Sequence, residues 1–500
     1  MSAGSFWPRA RAGALYRPAL PDGHCGRMTN SATARFRERG QGTVEYVGII
    51  VTVTVLVLGV VVAVASTGVG ASLGRTIVCA IESAFASVTG SAAPTCELAR
   101  QTAGDEPAPP VTVVSVPEDG NSTSVINVNA PPGTSWTVSA DDPYAKPYVS
   151  SGTGTGDAKV FFPANPGGSR TTEVRITFSN GTQQTVTLTQ PGGTQTMAVA
   201  GDSYVAGPGA LADRDQPTYS YDNSPDAEKC FRSADAYPRL LTGGQVKDGA
   251  GDPLKLTMTG SGFAACTGAT SYGGNGQSND TSSVKHQLDQ LEERGELADA
   301  DVMILSVGGN DIGFADIVTA CVTDPDLFTF GSTQCADAIQ GGMDKINGGL
   351  LAGNLDDMYR TALDKTQAAG TTIYVVGYPP VVADGDPTDT VGFVPHDEEV
   401  GASAALITSL NEQIQARIDA INAEQVAKGL PPRLVYVPTD SPGGPFGGHG
   451  ITTDDSYYVH VLESVFTAPP PNFTVAAYHP NDEGTKKQAE IVGGVMVGGR

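Results

Sequence analysis

The chain has 500 residues, enough for two or three folded units rather than one. Its 54 acidic residues outweigh 30 basic ones, a net charge of −24 that leaves no basic face for phosphates and excludes a nucleic-acid partner. None of the seven Cys and six His shows metal-site spacing, so neither a metal nor a cofactor is expected.

Charge is unevenly spread. Residues 1–40 hold seven Arg against two acids, Asp22 and Glu38. Residues 47–65 carry no charge and are long enough to cross a bilayer as one helix. A basic head, an apolar run and an acidic body describe a single-pass protein of the cell membrane with its body extracytoplasmic. A cleaved secretory signal is the rival reading, but no small-residue site closes the run tightly. Where the 1–40 leader meets the 41–66 pilin-like transmembrane segment, Gly40-Gln-Gly-Thr-Val-Glu45-Tyr46 resembles the processing site of Flp/Tad-type pilins. The resemblance implies cleavage after Gly40 by a prepilin-type peptidase, leaving Glu45 as the fifth mature residue ahead of the apolar helix, with the protein secreted or at the cell surface after processing. Glu45 would also complement the helix dipole.

Cys25 falls on the cytoplasmic side. The other six cysteines pair by neighbourhood as Cys79–Cys96, Cys230–Cys266 and Cys321–Cys335, as an oxidising exterior predicts. Residues 67–110 read as a juxtamembrane piece that ends in a linker, Gly104-Asp-Glu-Pro-Ala-Pro-Pro110.

Residues 111–193 change character. Short β-branched runs at 111–116, 124–128, 135–138, 159–162, 173–178 and 184–189 alternate with turn clusters such as Asn165-Pro-Gly-Gly. That spacing predicts a small all-β, Ig-like sandwich. Gly133-Thr-Ser-Trp136, Arg170-Thr-Thr-Glu-Val-Arg-Ile and Val186-Thr-Leu-Thr-Gln190-Pro-Gly resemble BACON-like modules. Some such modules contact carbohydrate. No aromatic cluster for sugar stacking is visible here, so the module reads as a rigid spacer with Trp136 in its core.

In 195–500 strands and helices alternate, which predicts a parallel sheet with helices on both faces, a three-layer α/β/α unit. Strands are expected at 197–200, 254–258, 302–307, 372–376 and 433–437, and helices at 283–294, 355–369 and 402–428. The apolar stripe Leu406, Leu410, Ile414, Ile418, Ile421 marks the core face of the last helix.

The strand at 197–200 stops at Gly201-Asp202-Ser203, with Gly207 and Gly209 following. Ser203 therefore sits at a strand's carboxyl end, where open α/β sheets place ligands. On its own, Gly-Asp-Ser is also an ordinary turn with Ser as helix N-cap. Three later stretches shift the balance: Phe263-Ala-Ala-Cys-Thr-Gly268-Ala-Thr270, Val307-Gly-Gly-Asn310-Asp-Ile-Gly-Phe314 and Tyr478-His479-Pro-Asn-Asp-Glu-Gly484. In this order and spacing the four blocks resemble the SGNH (GDSL-type) hydrolases of secreted actinobacterial type, over roughly residues 195–495.

The resemblance implies a flavodoxin-like fold and an ester hydrolase of esterase or lipase type. It makes Ser203 the nucleophile and His479 the general base, then the acid for the leaving alcohol. It supplies three oxyanion donors: the N–H of Ser203, the N–H of Gly268 and the Asn310 carboxamide. The remaining histidines fit the role less well: His24 lies before the span, His286 in a polar helix, His396 and His449 in loops and His460 in a sheet-like run. One departure stands out, because the family's usual Asp three residues before the catalytic His is here Ala476. A backbone carbonyl from residue 476 or its neighbour is then expected to orient the imidazole. The expected substrate is an ester of a lipid, an acylated envelope glycan or a small alcohol. The alternative is a pilin-like structural or adhesive protein that carries a weak or inactive hydrolase domain.

Overall fold

The computed structural model describes residues 107–210, 222–273, 283–322, 333–382, 397–441, 444–453, 455–459 and 476–498. Gly40, Glu45, the expected span at 47–65, and Cys25, Cys79 and Cys96 lie outside the described residues. No helix among the described residues is long and apolar enough to cross a membrane.

The first part is all β. Strands β1 (Val111–Val113), β2 (Ser122–Val128), β3 (Ser135–Ala140), β4 (Lys146–Val149), β5 (Ser151–Thr153), β6 (Gly156–Phe162), β7 (Arg170–Phe178) and β8 (Gln183–Gln190) form two four-stranded antiparallel sheets. Their orders are β1-β2-β6-β4 and β5-β3-β7-β8. Alternation explains the packing, since side chains two apart share a face. Ile126, Val128, Val160 and Phe162 from one sheet meet Trp136, Val138, Val174 and Ile176 from the other in one core. Trp136 is buried and its indole N–H donates to the Gly154 carbonyl (3.0 Å). Strands β4 and β5 escape the sequence pattern because each is only three or four residues long.

The second part is a five-stranded parallel sheet. Its strands are β9 (Gln195–Gly201), β10 (Leu256–Phe263), β11 (Val302–Ser306), β12 (Thr372–Val376) and β13 (Leu434–Val437), in the order β10-β9-β11-β12-β13. This is the 2-1-3-4-5 order of flavodoxin-like sheets, with its switch point between β9 and β11. The helices are α1 (Ser203–Ala206), α2 (Tyr237–Thr242), α3 (Val284–Glu293), α4 (Phe314–Val322), α5 (Gln334–Asn347), α6 (Leu350–Lys365), α7 (Asp397–Ala427) and α8 (Asp482–Met496). Ala198, Met303, Leu305 and Val375 face one way, against Leu288 of α3, Leu355 of α6 and Leu410 of α7. Met197, Val302, Ile304 and Val376 face the other way, against Leu240 of α2 and Val492 of α8. Both faces are thus covered, as near-continuous apolar strands require. The stripe Leu406, Leu410, Ile414, Ile418, Ile421 is buried along α7. Strand β10 runs beyond its expected end because Glu296 accepts the Ser261 N–H (2.9 Å) and holds an irregular stretch between Met258 and Phe263.

The β module meets the sheet at the strands' amino ends. Asn121 donates to the Asp301 carbonyl before β11 (2.7 Å), and Gln195, the first residue of β9, donates to the Asp119 carbonyl (3.1 Å). Buried Arg170 donates to Met496 O of α8 (2.9 Å), Pro163 O (2.7 Å) and Gln190 Oε1 (2.8 Å). Its replacement by Met would remove the donor to Met496 O and Gln190 Oε1, while Pro163 O keeps Gln190 Nε2 (3.0 Å). Arg170→Met is expected to cost about 3 kcal/mol, since hydrogen bonds to charged groups are lost and partners are left unsatisfied. Denaturant unfolding monitored by Trp136 fluorescence and by far-UV circular dichroism checks this. Unchanged stability would show that the junction is not tight.

Candidate active site

The four sequence blocks come together at the opposite, carboxyl end of the sheet. Gly201, the last residue of β9, pairs with Ser306, the last of β11. Asp202 caps α1, accepting the Tyr204 N–H on Oδ1 (3.0 Å), so Ser203 is the first helical residue. Ser203 is 6% exposed, nearly buried at the surface of this rim. The Gly201 peptide is held on both sides by the Gln287 carboxamide of α3, which donates to Gly201 O (2.9 Å) and accepts from Gly201 N (2.7 Å).

The second block is sutured to the first. Cys266 N–H donates to Gly201 O (3.0 Å), and Thr267 N–H donates to Cys230 O (3.1 Å) beside the Cys230–Cys266 disulfide. Cys321 and Cys335 are also joined, between α4 and α5. Gly268 has φ +82° and is exposed, a conformation that favours Gly. Among the described residues, no acceptor takes its N–H. The third block closes on the second: the Asn310 carboxamide donates one N–H to Ala269 O (2.9 Å), which leaves the other available. Asp311 accepts the Ser271 N–H at 3.1 Å.

His479 arrives on the loop before α8, which Asn481 caps by accepting from Glu483 N (3.0 Å) and Gly484 N (3.1 Å). Its Nδ1 lies 3.0 Å from the Ala477 carbonyl, so the orienting group is the backbone of the residue after Ala476. Tyr204, next to Ser203, joins the two blocks. Its hydroxyl donates to Tyr478 O (3.2 Å), and its ring centroid is 5.3 Å from that of His479. A Cβ on Gly209 would lie 2.9 Å from His479 O, so only Gly permits this approach. Tyr478 itself is left-handed (φ 62°), an uncommon conformation for a bulky residue and one associated with functional sites.

Tyr378 is a residue that sequence reasoning missed. Its hydroxyl donates to Asp202 Oδ2 (2.6 Å) and accepts the Gly309 N–H (2.9 Å). It therefore ties the cap of the Ser203 helix to the turn that carries Asn310. Tyr378 is pinned in turn by Asn411 of α7, which accepts its N–H and donates to its carbonyl, both at 2.8 Å. Burial pushes the Asp202 carboxyl up to about 7, against the lowering effect of the Tyr378 bond. Neither tyrosine nor asparagine sits in a recognisable motif, so no local signal marked them.

Of the other histidines, two lie among the described residues. His286 bonds Gln290 within α3 (2.9 Å), and His449 stacks on Tyr457 (centroids 4.0 Å). His24, His396 and His460 lie outside the described residues. An apolar cleft lined by Phe314, Ile317, Val381, Leu406, Ile407 and Tyr478 opens beside the blocks. Phe314 packs edge-on to Tyr204, with centroids 6.0 Å apart.

The chain is similar to several known proteins. The chain is 29% identical over 195 residues to Lipase 1 of Streptomyces coelicolor, covering 39% of this chain and 56% of that protein. It is 30% identical over 179 residues to a lipase of Streptomyces rimosus, covering 36% and 50% respectively. The chain thus spans about half the length of these relatives. Among solved structures, the extracellular lipase from Streptomyces rimosus is similar at 23% identity and TM-score 0.42, over 60% of this chain and 98% of that one. Phospholipase A1 from Streptomyces albidoflavus is similar at 22% identity and TM-score 0.41, with the same coverage. A model of the GDSL-like Lipase/Acylhydrolase family matches residues 199–487, from within β9 to within α8 and across all four blocks, and the chain belongs to that family.

Proposed function

We propose that the protein is a serine ester hydrolase working through an acyl-serine intermediate. The observation that carries this reading is the gathering of Ser203, Gly268, Asn310 and His479 at one sheet end, bridged by Tyr204. In the proposed mechanism the Ser203 hydroxyl attacks the ester carbonyl while His479 Nε2 takes its proton. The negative oxygen meets the N–H groups of Ser203 and Gly268 and the remaining Asn310 amide hydrogen. Collapse breaks the carbonyl–alkoxy bond, and His479 returns the proton to the departing alcohol. Water, activated by the same imidazole, then releases the carboxylic acid. The apolar cleft beside Phe314 would seat the acyl chain.

The wider assignment draws on sequence. We place the protein at the cell membrane, anchored through residues 47–65 with the body extracytoplasmic and pilin-like processing after Gly40. The β module is assigned as a BACON-like, Ig-type spacer, a role supported by its docking at the sheet end away from Ser203.

A serine-trapping phosphonate tests the catalytic reading. One equivalent is expected to label the Ser203 peptide of the full chain, read by mass spectrometry, and to end hydrolysis of p-nitrophenyl butyrate in proportion. Labelling elsewhere, or full activity after labelling, would remove Ser203 as nucleophile.

A further inference from the structure

Behind the Cys266–Gly268 turn lies a separate cavity of about 310 Å³. Three cations line it, Lys229, Arg232 and Arg294, against a single lining carboxylate, Asp226. Such a concentration of positive charge is unexpected on a chain of net charge −24. Gln290 and Thr267 add neutral hydrogen-bonding groups, and the Thr267 hydroxyl is buried without a partner among the described residues.

Arg232 forms the floor and is only 2% exposed. Its Nε donates to Ser224 Oγ (2.8 Å) and its Nη1 to Ala265 O (2.7 Å), both neutral acceptors. Its ion-pair partner Asp222 stands 4.0 Å away. That carboxylate is already engaged, receiving Arg239 on Oδ2 (2.8 and 3.1 Å) and the Ser224 N–H on Oδ1 (2.9 Å). Burial, the largest effect, lowers the Arg232 pKa to about 10, Asp222 and Asp226 support its charge and Arg294 and Arg239 oppose it, so it stays a cation at neutral pH. Arg232 is thus a buried cation whose nearest carboxylate is shared with Arg239, so a further anion would help to compensate it. Guanidinium groups match the planar oxygen pairs of phosphates. Lys229 and Arg294 stand exposed at the rim, Arg294 with its Nε on Glu296 (3.0 Å), and Lys229 would draw an anion inward.

We propose that this cavity binds a phosphate group, on Arg232 at its floor with Lys229 and Arg294 at its mouth. The volume is at the lower end of ligand-sized pockets and admits a phosphate with a short organic substituent. Two sources share this chemistry: free phosphate, or the phosphate of an ester substrate's alcohol portion. Because Thr267 adjoins Gly268, an occupant would touch the turn that carries a proposed oxyanion donor.

The test uses the full chain. Calorimetric titration with inorganic phosphate is expected to show one saturable site that weakens with added salt. The Lys229→Glu/Arg294→Gln variant is expected to bind phosphate at least tenfold more weakly, with its far-UV spectrum unchanged. Absence of saturable binding, or equal binding by the variant, overturns the proposal. Arg232→Lys is a second check at the floor, keeping the charge but losing the planar fork, and it too should bind more weakly.

The second arm, which rests on the ester-hydrolase reading, separates the sources. If the ligand is a substrate headgroup, inorganic phosphate raises KM for phosphatidylglycerol vesicles but not for p-nitrophenyl butyrate. If free phosphate is the ligand, it alters hydrolysis of both. Failure of phosphonate labelling at Ser203 would sink the enzyme reading and leave the calorimetric result standing. Failure of phosphate binding with intact labelling would sink only the anion site.

Discussion

Replacing His479 by Ala is expected to lower kcat by about 10⁴-fold or more while the chain stays folded, since losing the base of a nucleophile–base pair removes nearly all that the pair contributes. The position of the side chain suits the proposed role. With Nδ1 3.0 Å from the Ala477 carbonyl, the ring keeps its N–H there and presents Nε2 as the acceptor. A carbonyl orients the ring through a dipole, whereas the family's usual Asp would add a full negative charge beside the imidazolium. Ala476 thus removes a stabilising charge but not the orientation. Steady-state hydrolysis of p-nitrophenyl butyrate, with circular dichroism as the folding control, measures the effect. A loss of less than tenfold would mean that another group takes the proton.

Tyr378→Phe should give the next largest effect, a fall in kcat of about ten- to a hundredfold with KM nearly unchanged, the scale of a small misplacement of reacting groups. Tyr378 touches neither the nucleophile nor the expected substrate. It acts by holding Asp202, which caps the Ser203 helix, and Gly309, which precedes Asn310. Without its hydroxyl a carboxylate oxygen and a backbone N–H are left buried without partners, a cost of about 2–3 kcal/mol.

A pH readout distinguishes this role from simple destabilisation. Burial raises the Asp202 carboxyl from 3.8 to about 7, so across that interval the folded protein keeps a proton that the unfolded chain releases. Stability from this group therefore falls as pH rises from about 4 to about 7. The Tyr378 bond favours the ionised form, so its loss lifts the carboxyl further and extends the decline to higher pH. Urea unfolding of both proteins between pH 5 and 8.5 checks the sign. An identical slope in Tyr378→Phe would show that the hydroxyl does not act on Asp202.

Much of this architecture was readable from local pattern. The strand at Thr372–Val376 occurs where its apolar run begins and ends, because a parallel strand buried on both faces must be apolar throughout. Helix α7 followed its stripe for the same kind of reason, with buried residues recurring every three or four positions. Helix α6 begins at Leu350, earlier than expected, because Leu351 and Leu355 are buried despite the intervening Gly353 and Asn354. Helices α4 and α5, which flank a disulfide, were not among the elements expected from the sequence.

By itself, the sequence determined the order of the blocks, the candidate residues for the proposed chemistry, and the pairing of Cys230 with Cys266 and Cys321 with Cys335. Each of these is local, carried by short motifs or near neighbours. The tertiary structure alone decided which backbone carbonyl meets His479, that Tyr378 links Asp202 to Gly309, that Asn411 anchors Tyr378, and that Arg170 joins the β module to α8. The Tyr378–Asp202 and Arg170–Met496 bonds span separations of 176 and 326 residues. No periodicity encodes such partners. They follow from closing a doubly wound sheet, which brings strand ends together in space and favours pairing of the donors and acceptors buried there.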